Sequence, residues 1–266
     1  MSKLSRLIKN LFWSFCRRLF SIDPVSNLKI SNTIGMQRIG SRYGGWYVPN
    51  TLLNSESVCY CVGAGEDISF DIGLVEIFGC KVWIYDPTPR AKTHFEKLSA
   101  PLKMSIDDLD ETRSQGTNGC RANVFSKIKF IDEGVWVKKD DVKFYFPQKE
   151  EHVSCSIVNL QKTENFFVAK VDRLSAFMKR FGHVKLDLLK IDVEGAEFDI
   201  IETIIDDSIE IKILAIEFDG LSHGEKGVGQ KRFLKSIQML RGVGYVLAKV
   251  DGANYTFIKA TYFHYQ

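Results

Sequence analysis

Val58-Cys59-Tyr60-Cys61-Val62-Gly63-Ala64-Gly65-Glu66-Asp67 is the stretch that decides the fold. An apolar segment of strand length runs straight into a glycine turn. Behind it, Asp67 to Phe78 has helical spacing and stops at Gly79. A tight strand-to-helix turn needs glycine where φ is positive or where a ligand touches the backbone. Outward from this turn, Lys81–Tyr85 reads as a second short strand, followed by Asp86, 21 residues after Gly65. An acid at that place accepts hydrogen bonds from ribose hydroxyls. Strand, turn, helix, strand and acid together predict a nucleoside-cofactor half-site, with Gly63, Gly65, Glu66, Asp67 and Asp86 as its contacts.

The kind of nucleoside follows from charge. A dinucleotide site takes a third glycine and leaves the helix N-terminus open for pyrophosphate. Here Ile68 stands where that glycine would be, and Glu66 and Asp67 follow Gly65 directly. Two carboxylates repel a pyrophosphate and suit a cofactor that carries an ammonium and a sulfonium. The expected cofactor is therefore S-adenosyl-L-methionine. A nicotinamide-dependent oxidoreductase is the alternative enzyme reading, and no Tyr-x-x-x-Lys motif stands in the region it requires.

The rest of the chain alternates short apolar strands with amphipathic helices, as a parallel α/β sheet does. Thr88 is a predicted N-cap with Pro89 at the first helical position. Ile128–Ile131 is a third strand. Val142–Phe146 and Val153–Val158 alternate in polarity and predict antiparallel strands. Asp172–Phe181 predicts a helix capped by Asp172. Leu186–Ile191, a helix over 196–205, a strand over 211–218, a helix over 230–241 and strands over 245–250 and 255–259 complete the series. Residues 99–123 read as a helix end followed by a loop.

A second group of acids lies at the predicted strand ends. Asp192 and Glu194 follow Leu186–Ile191, while Glu217 and Asp219 close the next strand. Ligands of open α/β sheets bind outside the carboxyl ends of the strands, so these acids converge on the crevice facing the glycine turn. Asp192, Glu217 and Asp219 are candidate catalytic groups that orient or deprotonate an acceptor, as are His223 and His152. A divalent cation among the carboxylates is a further option. Glu197 and Glu202 read as structural charges.

Composition limits the remaining classes. The chain has 266 residues, 45% hydrophobic and 26% charged, enough for one sizeable core. A net charge of +3 gives no argument for a nucleic-acid partner. The six cysteines, Cys16, Cys59, Cys61, Cys80, Cys120 and Cys155, form no C-x-x-C pair and read as free thiols in a reducing, cytoplasmic compartment. Residues 3–20 place Leu4, Leu7, Ile8, Leu11, Phe12, Phe15 and Leu19 on one helical stripe, with Lys3, Arg6, Lys9, Arg17 and Arg18 mostly elsewhere. Such a helix either lies on an anionic membrane surface or packs its stripe on protein.

Beyond single motifs, an ordered set of segments resembles the FkbM-type methyltransferases. The set comprises Tyr43-Gly44-Gly45-Trp46, Val62 to Asp71, Tyr85-Asp86-Pro87-Thr88-Pro89, His152 to Ile157, Leu188 to Glu197 and Glu217-Phe218-Asp219. The resemblance implies a Rossmann-like class I methyltransferase: an α/β fold with a mostly parallel sheet, an antiparallel C-terminal strand and helices on both faces. It implies O-methylation of a hydroxyl on a sugar, glycan or secondary metabolite. It also implies that Gly63, Gly65, Glu66 and Asp67 line the methionine and ribose side, with Asp86 at the ribose and Glu133 near the adenine. Asp192 is counted with the cofactor contacts as well as with the acids. Where family members carry His as readily as Asp219, this chain has the acid, which leaves the base unidentified. Residues 41–266 are the expected methyltransferase domain, and residues 1–40 an amphipathic helix and linker outside the resemblance. A membrane-associated protein that keeps the fold without catalysis is the non-enzymatic alternative.

Overall fold

The computed structural model describes residues 34–100, 122–147, 155–159, 162–219 and 228–263. The chain opens with an antiparallel pair, β1 (Met36–Ile39) and β2 (Trp46–Pro49). The decisive stretch follows as β3 (Val58–Val62), α1 (Ser69–Phe78), β4 (Lys81–Tyr85) and α2 (Pro89–Ser99). Then come β5 (Ile128–Ile131), β6 (Gly134–Val135), β7 (Asp140–Tyr145), β8 (Phe166–Asp172), α3 (Leu174–Phe181) and β9 (Leu186–Ile191). The last part is α4 (Glu197–Asp206), β10 (Ile211–Glu217), α5 (Val228–Gly242), β11 (Tyr245–Asp251) and β12 (Asn254–Lys259).

Seven strands form the central sheet in the order β11-β12-β10-β9-β3-β4-β5. Strands β5, β4, β3, β9 and β10 run parallel. Strand β12 is antiparallel to both β10 and β11. The mostly parallel sheet with one reversed strand near its edge agrees with the expected class I methyltransferase fold. Strand order reverses beside β3: the chain steps outward through β4 and β5, then returns to place β9 on β3's other side. That reversal opens a crevice at the carboxyl ends of β3 and β9.

Successive side chains of a strand point to opposite faces, and two cores result. Tyr60, Trp83 and Tyr85 face one core, with Phe177 of α3, Phe198 of α4 and Phe233 of α5. Cys59, Cys61, Val82 and Ile84 face the other, with Phe70 and Leu74 of α1, Ala91 of α2 and Trp46 of β2. Both faces bear helices, so the central strands are largely apolar rather than alternating regularly with polar residues. Cys59, Cys61 and Cys80 are buried free thiols and Cys155 is a half-buried one, as expected; Cys16 and Cys120 lie outside the described residues.

Local signals translate directly at several ends. Thr88 caps α2 through its side chain, which accepts from the Ala91 amide at 3.4 Å. Gly79 and Gly182 end α1 and α3 in the left-handed conformation. Three expectations need correction. Asp172 ends β8, and Arg173 occupies the N-cap of α3, because the Asp172 backbone is committed to the ladder with β6. Strand β8, which the sequence reading passes over, pairs with β7 in a separate three-stranded sheet ordered β6-β8-β7. Of the strand expected over 153–158, the described part makes one isolated bridge, Ser156 to Tyr145. The helix expected over 3–20, His152, His223 and most of the loop expected over 99–123 lie outside the described residues. No helix among the described residues is long and apolar enough to cross a membrane.

Candidate active site

A cavity of about 260 Å³ opens in the crevice beyond β3 and β9. Its lining includes Gly63, Gly65, Glu66, Asp67 and Asp86 on one side and Asp192, Glu217 and Asp219 on the other. Val135, Phe144 and Ile157 add an apolar wall. Eight residues predicted from sequence are thus brought to one place. Glu133 is not among them: its carboxylate is bound by both terminal nitrogens of Arg180, which draws it away from the lining.

Gly63 is dictated by contact. Its φ is +83°, and a Cβ there would sit 1.8 Å from the Asp192 carbonyl oxygen. The turns after β3 and β9 therefore touch through their backbones, and only glycine fits between them. Gly65 also has positive φ, +55°, yet a Cβ there would meet nothing within 4 Å. Its surroundings are open, as a ligand approaching the backbone requires.

Asp86 takes a role the sequence reading did not assign. Its Oδ2 accepts from the amides of Ala64 and Gly65 at 2.8 and 2.9 Å. Its Oδ1 accepts from the Thr88 amide and hydroxyl at 2.8 and 2.6 Å. A carboxylate offers about four acceptor positions, so the side chain is occupied in holding the glycine turn. A ribose hydroxyl must share or displace one of these bonds.

Glu66 and Asp67 are engaged as well, which changes the electrostatic reading of the turn. Glu66 faces Arg90 at 3.4 Å, so its charge is partly balanced. Asp67 Oδ2 accepts from Ser41 Oγ and from the Gly44 amide, and Oδ1 from the Ser69 amide. Burial alone would raise the Asp67 pKa, but the bonds from Ser41, Ser69 and Gly44 outweigh it and hold the group below the usual carboxylate range. Asp67 thereby pins the turn between β1 and β2 onto the start of α1. Arg38 braces the same turn by donating to the carbonyls of Ser41, Arg42 and Gly45.

Opposite the turn, Asp192, Glu217 and Asp219 each bring a carboxylate oxygen within 4.8 Å of the others, a spacing that a divalent cation can bridge. Burial, followed by the charges of Asp192 and Asp219, pushes the Glu217 pKa up to about 10. Like charges this close do not all ionise, so the cluster keeps a proton at neutral pH. Asp192 is bound by Lys190 Nζ at 3.0 Å. Behind it, Glu194 adopts a positive φ of +51°. The fully buried Glu197 accepts from the Gly195 amide at 2.8 Å and fixes that strained turn. Glu197 is thus structural, as expected, and Glu202 pairs with Lys235 on the surface.

Lys190, Trp46 and Asn254 also line the cavity, and sequence reasoning did not single them out as site residues. Lys190 had a visible signal, a lone cation inside the apolar strand Leu186–Ile191. Asn254 had none, because it reaches the site only through the pairing of β12 with Glu217.

The comparisons with known proteins agree with this geometry. The methyltransferase FkbM domain matches residues 63–247, more than two thirds of the chain. Among curated proteins no sequence matches significantly. Solved structures of similar shape include a methyltransferase FkbM from Methylobacillus flagellatus KT, with 13% identity and a TM-score of 0.43. That match covers 77% of this chain and 44% of that one, so the present chain spans less than half of that relative. A fibrillarin pre-rRNA processing protein from Methanococcus jannaschii matches at 12% identity and a TM-score of 0.41, over 88% of this chain and 86% of that one. A precorrin-6y C5,15-methyltransferase from Geobacter metallireducens GS-15 matches at 10% identity and 0.36, over 79% and 81%. With the family domain running from the glycine turn through the strand-end acids into β11, the chain belongs to the FkbM family of S-adenosyl-L-methionine-dependent methyltransferases.

Proposed function

We propose that this methyltransferase methylates a hydroxyl group of a sugar, a glycan or a secondary metabolite. The observation that carries the reading is the carboxylate cluster of Asp192, Glu217 and Asp219 across the cavity from the glycine turn. Bound S-adenosyl-L-methionine supplies an electrophilic methyl group on a sulfonium. Gly65 leaves room for it at the turn, which Gly63 packs against Asp192 and Asp86 holds in place. The apolar wall of Val135, Phe144 and Ile157 suits a flat base. A hydroxyl acceptor must lose its proton as the methyl group arrives, and a cluster of three carboxyl groups that holds fewer than three protons can take it. Asp192, paired with Lys190 Nζ at 3.0 Å, is the acceptor of that proton, and Glu217, itself protonated, donates a hydrogen bond that orients the hydroxyl. Asp219 supports the pair. His223 is a second candidate base from sequence alone.

The test is transfer of radiolabelled methyl from S-adenosyl-L-methionine to a panel of oligosaccharides, glycolipids and hydroxylated small molecules. Alkali-stable label on a hydroxyl oxygen, lost in Asp192→Asn, is the expected result. Label on nitrogen or carbon would overturn the oxygen assignment. Isothermal titration with S-adenosylhomocysteine tests the cofactor separately, and no binding at high micromolar ligand would refute it.

The acceptor also bears on the N-terminal segment. We take residues 3–20 to be a basic amphipathic helix that brings the enzyme to an anionic membrane surface, which suits a glycan built at a membrane. Liposome co-sedimentation with and without residues 1–22 decides this, and unchanged lipid binding after deletion would refute it.

A further inference from the structure

A lysine inside a sheet core needs a reason. Lys190 lies in β9, paired in register with Cys61 of β3 on one side and Ala215 of β10 on the other. By strand alternation it points to the face covered by α1 and the β1–β2 pair, where Cys61 and Ala215 belong to an apolar cluster. Its side chain is 5% exposed. A charge so placed is costly unless it is paired and hydrogen-bonded.

Its partners are specific. Nζ donates to the Gly63 carbonyl at 2.5 Å and meets Asp192 Oδ2 at 3.0 Å. It also lies 5.7 Å from the centre of the Trp46 ring. On α1, Asp71 is 1% exposed, and its Oδ1 has no hydrogen-bond partner. Burial pushes the Asp71 pKa above the usual carboxylate range, and the positive charge of Lys190 acts against that rise. One ammonium therefore joins the glycine turn to the acid after β9, on the sheet face that also carries the buried Asp71.

We propose that Lys190 is a positioning residue of the cofactor site, fixing the Gly63 turn against the Asp192 carboxylate, with Asp71 as its buried counter-charge. Gly63 and Asp192 already touch through their backbones, and Lys190 ties the same two turns through a side chain. The cavity floor is thereby set to one width before any ligand arrives, which is how a site lowers the ordering cost of binding. Asp71 touches neither turn in this scheme and serves through the lysine. The proposal rests on S-adenosyl-L-methionine occupying the Gly63 cavity.

The full-length chain provides the test, with S-adenosylhomocysteine as the probe in isothermal titration and urea unfolding as the measure of fold. Lys190→Met strands Asp71 as a buried lone carboxylate, so it should lower the unfolding midpoint and weaken S-adenosylhomocysteine by at least ~10-fold. The double variant Asp71→Asn/Lys190→Met removes the stranded charge. Its midpoint should return toward that of the parent while binding stays at least ~10-fold weak. A double variant that regains the midpoint and the affinity together would make Lys190 a fold residue only and overturn the proposal. Parent-like binding by Lys190→Met alone would overturn it too. Failure of the parent to bind S-adenosylhomocysteine would instead strike the cofactor reading, a result visible before any variant is made.

Discussion

Replacing Asp86 by alanine separates two roles that one carboxylate can play. If the side chain mainly receives the ribose, its loss weakens the cofactor and leaves the fold alone. The structure predicts otherwise, because four bonds converge on it: two from the glycine turn and two from Thr88. A hydrogen bond to a charged group contributes ~1.5–3 kcal/mol, and leaving its partner buried and unsatisfied costs as much again as desolvation. Bonds that share one carboxylate do not add, and the turn can relax toward water, so Asp86→Ala should cost about 3–5 kcal/mol of stability. For a domain of this size, that corresponds to a melting temperature lower by about 10 °C. Urea unfolding of the parent and the variant, with S-adenosylhomocysteine titrations on both, reads the two effects independently. Asp86→Asn sharpens the comparison, since its amide turns one acceptor into a donor that faces backbone N–H groups, and it should also destabilise. If Asp86→Ala weakens S-adenosylhomocysteine at least tenfold with an unchanged unfolding midpoint, the carboxylate is a dedicated ribose acceptor and the reasoning fails.

Further outcomes follow from the same geometry. Gly63→Ala places a methyl group 1.8 Å from the Asp192 carbonyl oxygen, so the two turns must separate and S-adenosylhomocysteine binding should be lost in titration. Gly65→Ala meets no atom and carries only the strain of its positive φ, about 1 kcal/mol, readable as a small midpoint shift. Glu217 has a folded pKa of about 10 against an ordinary 4.5, so the folded state binds the extra proton between those limits. Its contribution is full below the lower value and is lost as pH rises toward the upper one. Glu217→Gln should flatten that decline, and urea midpoints at about pH 6 and about pH 9 for both proteins measure it. Glu197→Ala orphans the Gly195 amide beside the strained Glu194 and should cost ~1–3 kcal/mol in the same assay, with Glu197→Gln milder.

Much of the fold was legible because parallel strands buried on both faces leave continuous apolar runs, and glycine and proline punctuate the ends. Val58–Val62, Lys81–Tyr85 and Leu186–Ile191 could be read to the residue for that reason, and the edge strand Ile128–Ile131 from its apolar residues. Strand β8 was hidden because its Phe166 and Val168 are exposed and its last residue, Asp172, imitates a helix cap. The β1–β2 pair carries only four residues in each strand, too few for a period to emerge.

The candidate site divides along the same line. From the letters alone come the glycine turn at Gly63 and Gly65, the acid Asp86 after β4 and the acids Asp192, Glu217 and Asp219 at the strand ends, since topology sends strand ends to one crevice whatever their side chains do. Which bonds those side chains make was decided only in three dimensions. Asp86 braces the turn, Glu66 is met by Arg90, Asp67 holds Ser41 and Gly44, and Glu133 is taken by Arg180. A carboxylate shows in sequence only that it can accept; its partners come from elements far apart in the chain, joined by packing. Lys190 illustrates the difference. Its letter marked a cation in an apolar strand, and only the folded sheet placed it between Gly63, Asp192 and the face that carries Asp71.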